Sequence, residues 1–180
     1  FNLPLQRPFT LKLAPQVKSL PPEPPTSGAI WDIMLWSLKL RYWAYQANTF
    51  QGPAPHIRIF VKYFDVKDQQ PLAHSFGLQQ GMLGVVNAFA TKKMTAANAV
   101  VITHEILHTL GASDKYDLNS GLPIFPDGYV ETARNPLHPQ ELAEIMAGKI
   151  PISKFQADIP RGLHQVIMGQ QTAREISWLK

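Results

Sequence analysis

Two histidines four positions apart, His104 and His108, enclose Glu105 in the stretch Thr103-His104-Glu105-Ile106-Leu107-His108-Thr109-Leu110-Gly111-Ala112-Ser113-Asp114. On an α-helix, residues i and i+4 share a face about one turn apart. Two neutral imidazoles at that spacing can bind one divalent cation from the same side. Glu105, beside the first of them, is placed to take a proton from an activated water. Gly111 follows His108 by three residues and can take a positive φ that ends the helix sharply. The chain can then fold back and bring in Asp114 as a third ligand, leaving a fourth position for water. Asp117 and His138 are the alternative third ligands, with Asp114 then only closing the loop. The chemistry implied is zinc-assisted hydrolysis, of a peptide bond before other substrates.

The elements that must position these groups can be read from periodicity. Ser27 is a good N-cap, and a helix is expected from there to about Asn48. Ile30, Met34, Leu38 and Tyr42 line one face of it, and its tryptophans and tyrosines are expected to pack against a sheet. His56–Val66 alternates at period two and predicts a strand, with a turn from Asp65 to Pro71. Met82–Ala90 is a short apolar run that predicts a second strand. The glycines at 77, 81 and 84 leave room there for close backbone approach. A helix capped by Thr95 should run to Leu110, apolar nearly all round and therefore buried. Burying His104, Glu105 and His108 in it costs free energy unless they have a partner, and a metal supplies one. Residues 111–162 are rich in Gly, Pro, Asn and Asp, and such long irregular stretches are commonly functional. A last helix is expected from Leu163 to Leu179.

Composition sets the outer limits. The chain has 180 residues, 45 % of them hydrophobic, which suits a folded domain and argues against wholesale disorder. It has no cysteine, so any metal must be held by His, Asp or Glu. The formal charge is +4, but the basic residues are scattered, with Lys92-Lys93 the one adjacent pair. No stripe tracks phosphates, so nucleic acid is not an expected partner. No apolar run approaches the ~20 residues that span a bilayer. Membrane attachment would need an anchor before Phe1. Residues 1–26 are proline-rich, including Pro21-Pro22-Glu23-Pro24-Pro25, and read as an arm or stalk, with an SH3-type ligand as the functional alternative. Residues 27–180 then form the catalytic domain. His56, His74 and His164 are expected on the surface or in loops.

The pattern His-Glu-x-x-His-x-x-Gly-x-x-Asp resembles the signature of the metzincin metallopeptidases, in the Asp variant of snapalysin-like enzymes. The resemblance implies an α+β fold: a twisted, mostly parallel sheet with an antiparallel edge strand, an active-site helix, a methionine-bearing turn and a C-terminal helix. Glu144-Ile145-Met146-Ala147-Gly148 looks like that turn, which would put Met146 beneath the metal. The alternative local reading of Pro139–Met146 is a short helix closed by Gly148, with Met146 an ordinary core residue. Some metzincins carry a tyrosine two residues past the methionine, where this chain has Gly148. Tyr116, close to Asp114, is the candidate oxyanion donor instead.

The expected activity is that of a monomeric zinc-dependent endopeptidase. His104, His108 and Asp114 would hold one Zn²⁺, and Glu105 would act as general base on a peptide or protein substrate. Met82–Ala90 would be the edge strand to which an extended substrate adds, and a wall between Gly121 and Lys149 would set side-chain preference. The alternative is a non-catalytic, zinc-stabilised binding module. The resemblance points to an extracytoplasmic location.

Overall fold

The computed structural model describes residues 10–65 and 74–179, and the chain divides into two units, Phe1–His56 and Ile57–Lys180. The architecture is mixed α/β, with small sheets and few helices. The unit boundary groups the first helix with the proline-rich segment.

In the first unit, α1 spans Ile30–Gln46. Its N-cap is Ala29, not Ser27; the Ser27 hydroxyl instead accepts from the Ala29 amide and donates to Asp32. Leu40, Ala44 and Ala47 are buried. Trp31, Tyr42 and Tyr45, expected to pack on a sheet, are exposed. Trp36 and Trp43 have their indole N–H groups on the proline-rich segment: they donate to the Pro22 carbonyl and the Ser19 hydroxyl at 3.0 and 2.9 Å.

The second unit is built on a three-stranded sheet of order β1-β3-β2. β1 (Arg58–Phe64) runs parallel to β3 (Leu83–Phe89), and β2 (Phe76–Leu78) runs antiparallel to β3. The strand expected at the edge is thus the central one. The reason lies in its composition. Leu83 through Ala88 are buried at every position, so both faces are covered and both flanks are taken. The edge is β2, too short to be read from period-two alternation. The expected turn from Asp65 to Pro71 lies largely outside the described residues.

α2 (Thr95–Thr109) packs across β3 and β2. A 3₁₀ turn, Lys92–Met94, leads into it, so Thr95 is its first residue and Met94 its N-cap. The Asn98 side chain accepts from the Phe89 amide and donates to the Phe89 carbonyl, tying strand end to helix start. The helix is not buried all round. Ala96 and Val101 are exposed, whereas Val100, Glu105, Leu107 and Thr109 are buried. Leu107 and Val100 join Ala112, Ile145, Met146 and Ile176 in one core cluster.

After α2, two-stranded ladders replace long elements. β4 (Ala143–Glu144) pairs parallel with β7 (Val166–Ile167), and β5 (Ile150–Pro151) pairs antiparallel with β6 (Ala157–Asp158). The expected last helix shrinks to α3, Gln170–Glu175. Its N-terminal half is instead a 3₁₀ turn and β7. Gly169 breaks the helical pattern, and the backbone of Val166 and Ile167 finds partners in β4.

Close approach sets one position in this frame. A Cβ built on Gly77 of β2 would lie 2.4 Å from the Glu105 carbonyl oxygen and 2.8 Å from His108 Cβ. The edge strand therefore lies on the helical turn that carries the motif. Gly77→Ala should push β2 off α2 and cost about 1–3 kcal/mol, as overpacking does. Urea denaturation measures this, and an unchanged midpoint would refute the contact.

Candidate metal centre

His104 and His108 project from the last two turns of α2, as the spacing predicts. Their Nε2 atoms lie 3.0 Å apart. Gly111, at φ +104°, ends the helix and turns the chain back. Asp114 Oδ1 then sits 3.1 Å from each Nε2. Three atoms from two segments thus form a nearly equilateral triangle.

The protonation pattern follows from the other side of each ring. His104 Nδ1 faces the Ile145 carbonyl at 2.9 Å, and His108 Nδ1 faces the Ala112 carbonyl at 2.8 Å. A carbonyl oxygen can only accept, so both Nδ1 atoms carry the proton and donate. In the neutral rings each Nε2 is then a lone pair aimed at the triangle. Asp114 Oδ1 is buried and has no hydrogen-bond donor. Three acceptors converge with no proton among them, an arrangement that repels unless a cation is shared. A tetrahedral ion with bonds of about 2.0–2.1 Å sets its ligands roughly 3.3–3.4 Å apart, a few tenths of an ångström from these separations. His104, His108 and Asp114 could hold a metal ion. The backbone carbonyls behind both rings fix tautomer and aim, which is how ligating imidazoles are normally oriented.

Glu105 is buried, and its Oε2 has no hydrogen-bond partner. Burial pushes its carboxyl above the usual range, and the nearby His104 and His108 rings, when protonated, offset only part of that. For Asp114 the balance is reversed. Burial opposes its ionisation, but when the two imidazoles are protonated their Nε2–H groups and positive charge hold it well below the ordinary carboxylate range. Tyr116 belongs to the same neighbourhood. Burial and then the Asp114 carboxylate push its hydroxyl up, so it stays a proton donor. The bridge between Tyr116 and Pro123 holds it in place.

The other candidates are placed elsewhere. The Asp117 carboxylate accepts from the Asn119 and Ser120 amides and the Ser120 hydroxyl, and so shapes a turn. His138 Nε2 meets the Tyr129 hydroxyl at 3.1 Å. Neither joins the His-His-Asp group, the one such group among the described residues. His74, at the entry to β2, is close enough to Glu105 to act on its charge. Its distance in sequence from the motif gave no sign of this.

Residues 145–147, following β4, form a tight turn, not a helix. The amides of Ala147 and Gly148 donate to the Glu144 carbonyl, and Gly148 takes φ +68°. Met146 is fully buried in the core cluster under α2, while the adjacent Ile145 carbonyl holds His104. The turn depends on Glu144. Its fully buried carboxylate accepts from the Met146 and Ala147 amides, the Gly169 amide and the Thr172 hydroxyl, at 2.6–3.0 Å. A second anchor fixes the Asp114 loop. Lys115 Nζ contacts both Glu175 carboxylate oxygens at 2.8 and 2.7 Å, and Ser113 donates to the same carboxylate through its amide and hydroxyl. These two carboxylates, on either side of the site, were not legible as functional in the sequence. The partners that tie them to other segments lie 25 to 62 residues away, beyond any local pattern.

The Glu175 anchor carries a pH dependence. Burial favours its protonated form, but Lys115 and Ser113 outweigh that, so its folded-state pKa lies below the ordinary 4.5. A depressed carboxyl pKa stabilises the fold above the unfolded value, and the gain is lost as pH falls through the folded value. Stability should therefore decline below about pH 4.5, and the decline should be smaller in Glu175→Gln. Parallel acid titrations followed by circular dichroism compare the two, and coincident curves would remove Glu175 from the account.

No protein-family model matches this chain, and neither does any curated protein or solved structure.

Proposed function

We propose that the chain is a zinc-dependent endopeptidase of metzincin-like organisation. The observation that carries this reading is the convergence of His104 Nε2, His108 Nε2 and Asp114 Oδ1 within 3.1 Å, each an acceptor. Two imidazoles and one carboxylate are a donor set of the kind catalytic zinc takes, with a position left open. Zinc held there supplies a Lewis acid that makes water acidic near neutral pH and polarises a carbonyl. Glu105 removes the proton from the attacking water and passes it to the leaving amine. Its burial keeps bulk water from competing for that proton. Tyr116, held protonated, donates to the oxyanion that forms on the scissile carbonyl.

Support for the metzincin-like organisation comes from the sheet and the turn. An antiparallel edge strand, β2, lies against the motif-bearing helix, and a tight turn with a buried methionine lies beneath it. Gly148 stands where some members of that family have tyrosine, and Tyr116 takes over its task here. An extended peptide would pair with β2, main chain first. The segment from Gly121 to Lys149 would then select side chains.

The experiment is metal analysis of the purified chain joined to cleavage of casein with and without a chelator. About one zinc per chain and chelator-sensitive cleavage are expected. Asp114→Ala should bind zinc at least about tenfold more weakly. Zinc retention at the wild-type level would move the third-ligand role to another side chain. Zinc without any cleavage would leave a metal-stabilised binding module.

A further inference from the structure

We infer that the exposed face of α1 docks on an anionic lipid surface, lying along it and not crossing it. At 100° per residue, Ile30, Trp31, Met34, Leu38, Tyr42 and Tyr45 fall within one arc of about 120°. All six are 51–76 % exposed. Together they present on the order of 800 Å² of largely apolar surface, against about 300–600 Å² for the largest patch on a typical monomer. A face of that size in water marks an interface. The opposite side of the helix already has its own buried residues, Leu40 and Ala44.

The occupant is chosen by charge and side-chain type. Residues Phe1–His56 contain five basic and two acidic residues, which is three of the chain's four net positive charges. Lys39 lies about 60° beyond one side of the arc, where its stem can lie along apolar surface and its charge reach headgroups. Trp31, Tyr42 and Tyr45 each pair an apolar ring with a polar tip, the composition favoured at the level of lipid headgroups. Leu11, Leu13 and Leu20 of the neighbouring segment are likewise exposed, with Lys12 and Lys18 between them. A basic, aromatic and apolar face of this kind binds anionic bilayers in the plane of the interface. No helix among the described residues is long and apolar enough to cross a membrane.

A second copy of the chain fits less well. Trp31, Leu35, Leu38, Tyr42 and Tyr45 do follow heptad spacing, but only for two heptads, where a coiled coil needs three or four.

The test is flotation of the full 180-residue chain with phosphatidylglycerol-containing vesicles and with pure phosphatidylcholine vesicles. Binding is expected to the anionic vesicles and to weaken about tenfold or more in Trp31→Gln/Leu38→Gln/Tyr45→Gln. These side chains are exposed, so the circular dichroism of the triple variant should match wild type. Brominated lipid should quench tryptophan emission, and less so in Trp31→Phe. Absence of binding to anionic vesicles overturns the inference. So does binding that the triple variant leaves unchanged, which would be charge attraction alone. A dimer in light scattering that the triple variant dissolves, with no vesicle binding, would assign the face to a second copy. None of these outcomes depends on zinc or on peptide cleavage.

Discussion

Glu105→Gln should lower kcat/KM for peptide cleavage by a factor of about 10²–10⁴ while leaving the metal in place. The argument is geometric and electrostatic. Glu105 is not among the three converging donors, so removing its charge leaves the ligand set whole. Glutamine keeps the size of the side chain, and the buried position should accept it. What is lost is a base. The amide cannot take a proton from water, and the His-His-Asp group has no carboxylate besides Asp114. Two measurements check this, zinc content by atomic spectroscopy and initial rates on an unstructured substrate. A variant that keeps its zinc and cleaves at the wild-type rate would falsify the assigned role. A variant that loses zinc would instead show that Glu105 supports the metal.

Glu144→Ala should be the most damaging substitution for the fold, costing about 3–5 kcal/mol. Four donors meet its carboxylate: two amides of the tight turn, the Gly169 amide that precedes α3, and the Thr172 hydroxyl within α3. Alanine leaves the Met146 and Gly169 amides and the Thr172 hydroxyl without an acceptor, while the Ala147 amide keeps the backbone carbonyl of residue 144. Glutamine is the finer probe, because its amide group puts donors against donors. It should fall between alanine and wild type. The consequence reaches the site. The same turn presents the Ile145 carbonyl to His104 Nδ1, so a loosened turn frees the ring and should weaken metal affinity along with stability. Thermal denaturation and zinc titration of both variants test the link. Normal zinc affinity in a Glu144→Gln protein of clearly lowered melting temperature would separate the turn from the metal centre.

The particular residues show why some of this was readable in advance. His104 and His108 face one way because helical geometry fixes the direction of side chains four apart. Gly111 stops the helix because few other residues take φ near +104° without strain. The buried β3 was recognisable as a strand because its apolar run is local. Its place in the middle of the sheet was not, because β2 is three residues long and has no period to detect. α3 was overdrawn for a related reason. Helical spacing around Val166 and Ile167 was real, but pairing with β4 satisfies their backbone and overrides it. The aromatic residues of α1 were expected inside because aromatic side chains bury large areas. Their helix has more apolar surface than one buried face can use.

The amino-acid sequence alone determined the two imidazoles, the neighbouring carboxylate and the glycine stop, since each follows from the geometry of a single helix and its end. Only the tertiary structure decided that Asp114 closes the triangle, that Ile145 and Ala112 lend their carbonyls to the rings, and that Glu144 and Glu175 clamp the two loops. Those contacts join segments as many as 62 residues apart. Nothing local encodes them, because they arise when packing brings distant backbone and side-chain groups together and each buried polar atom must find a partner.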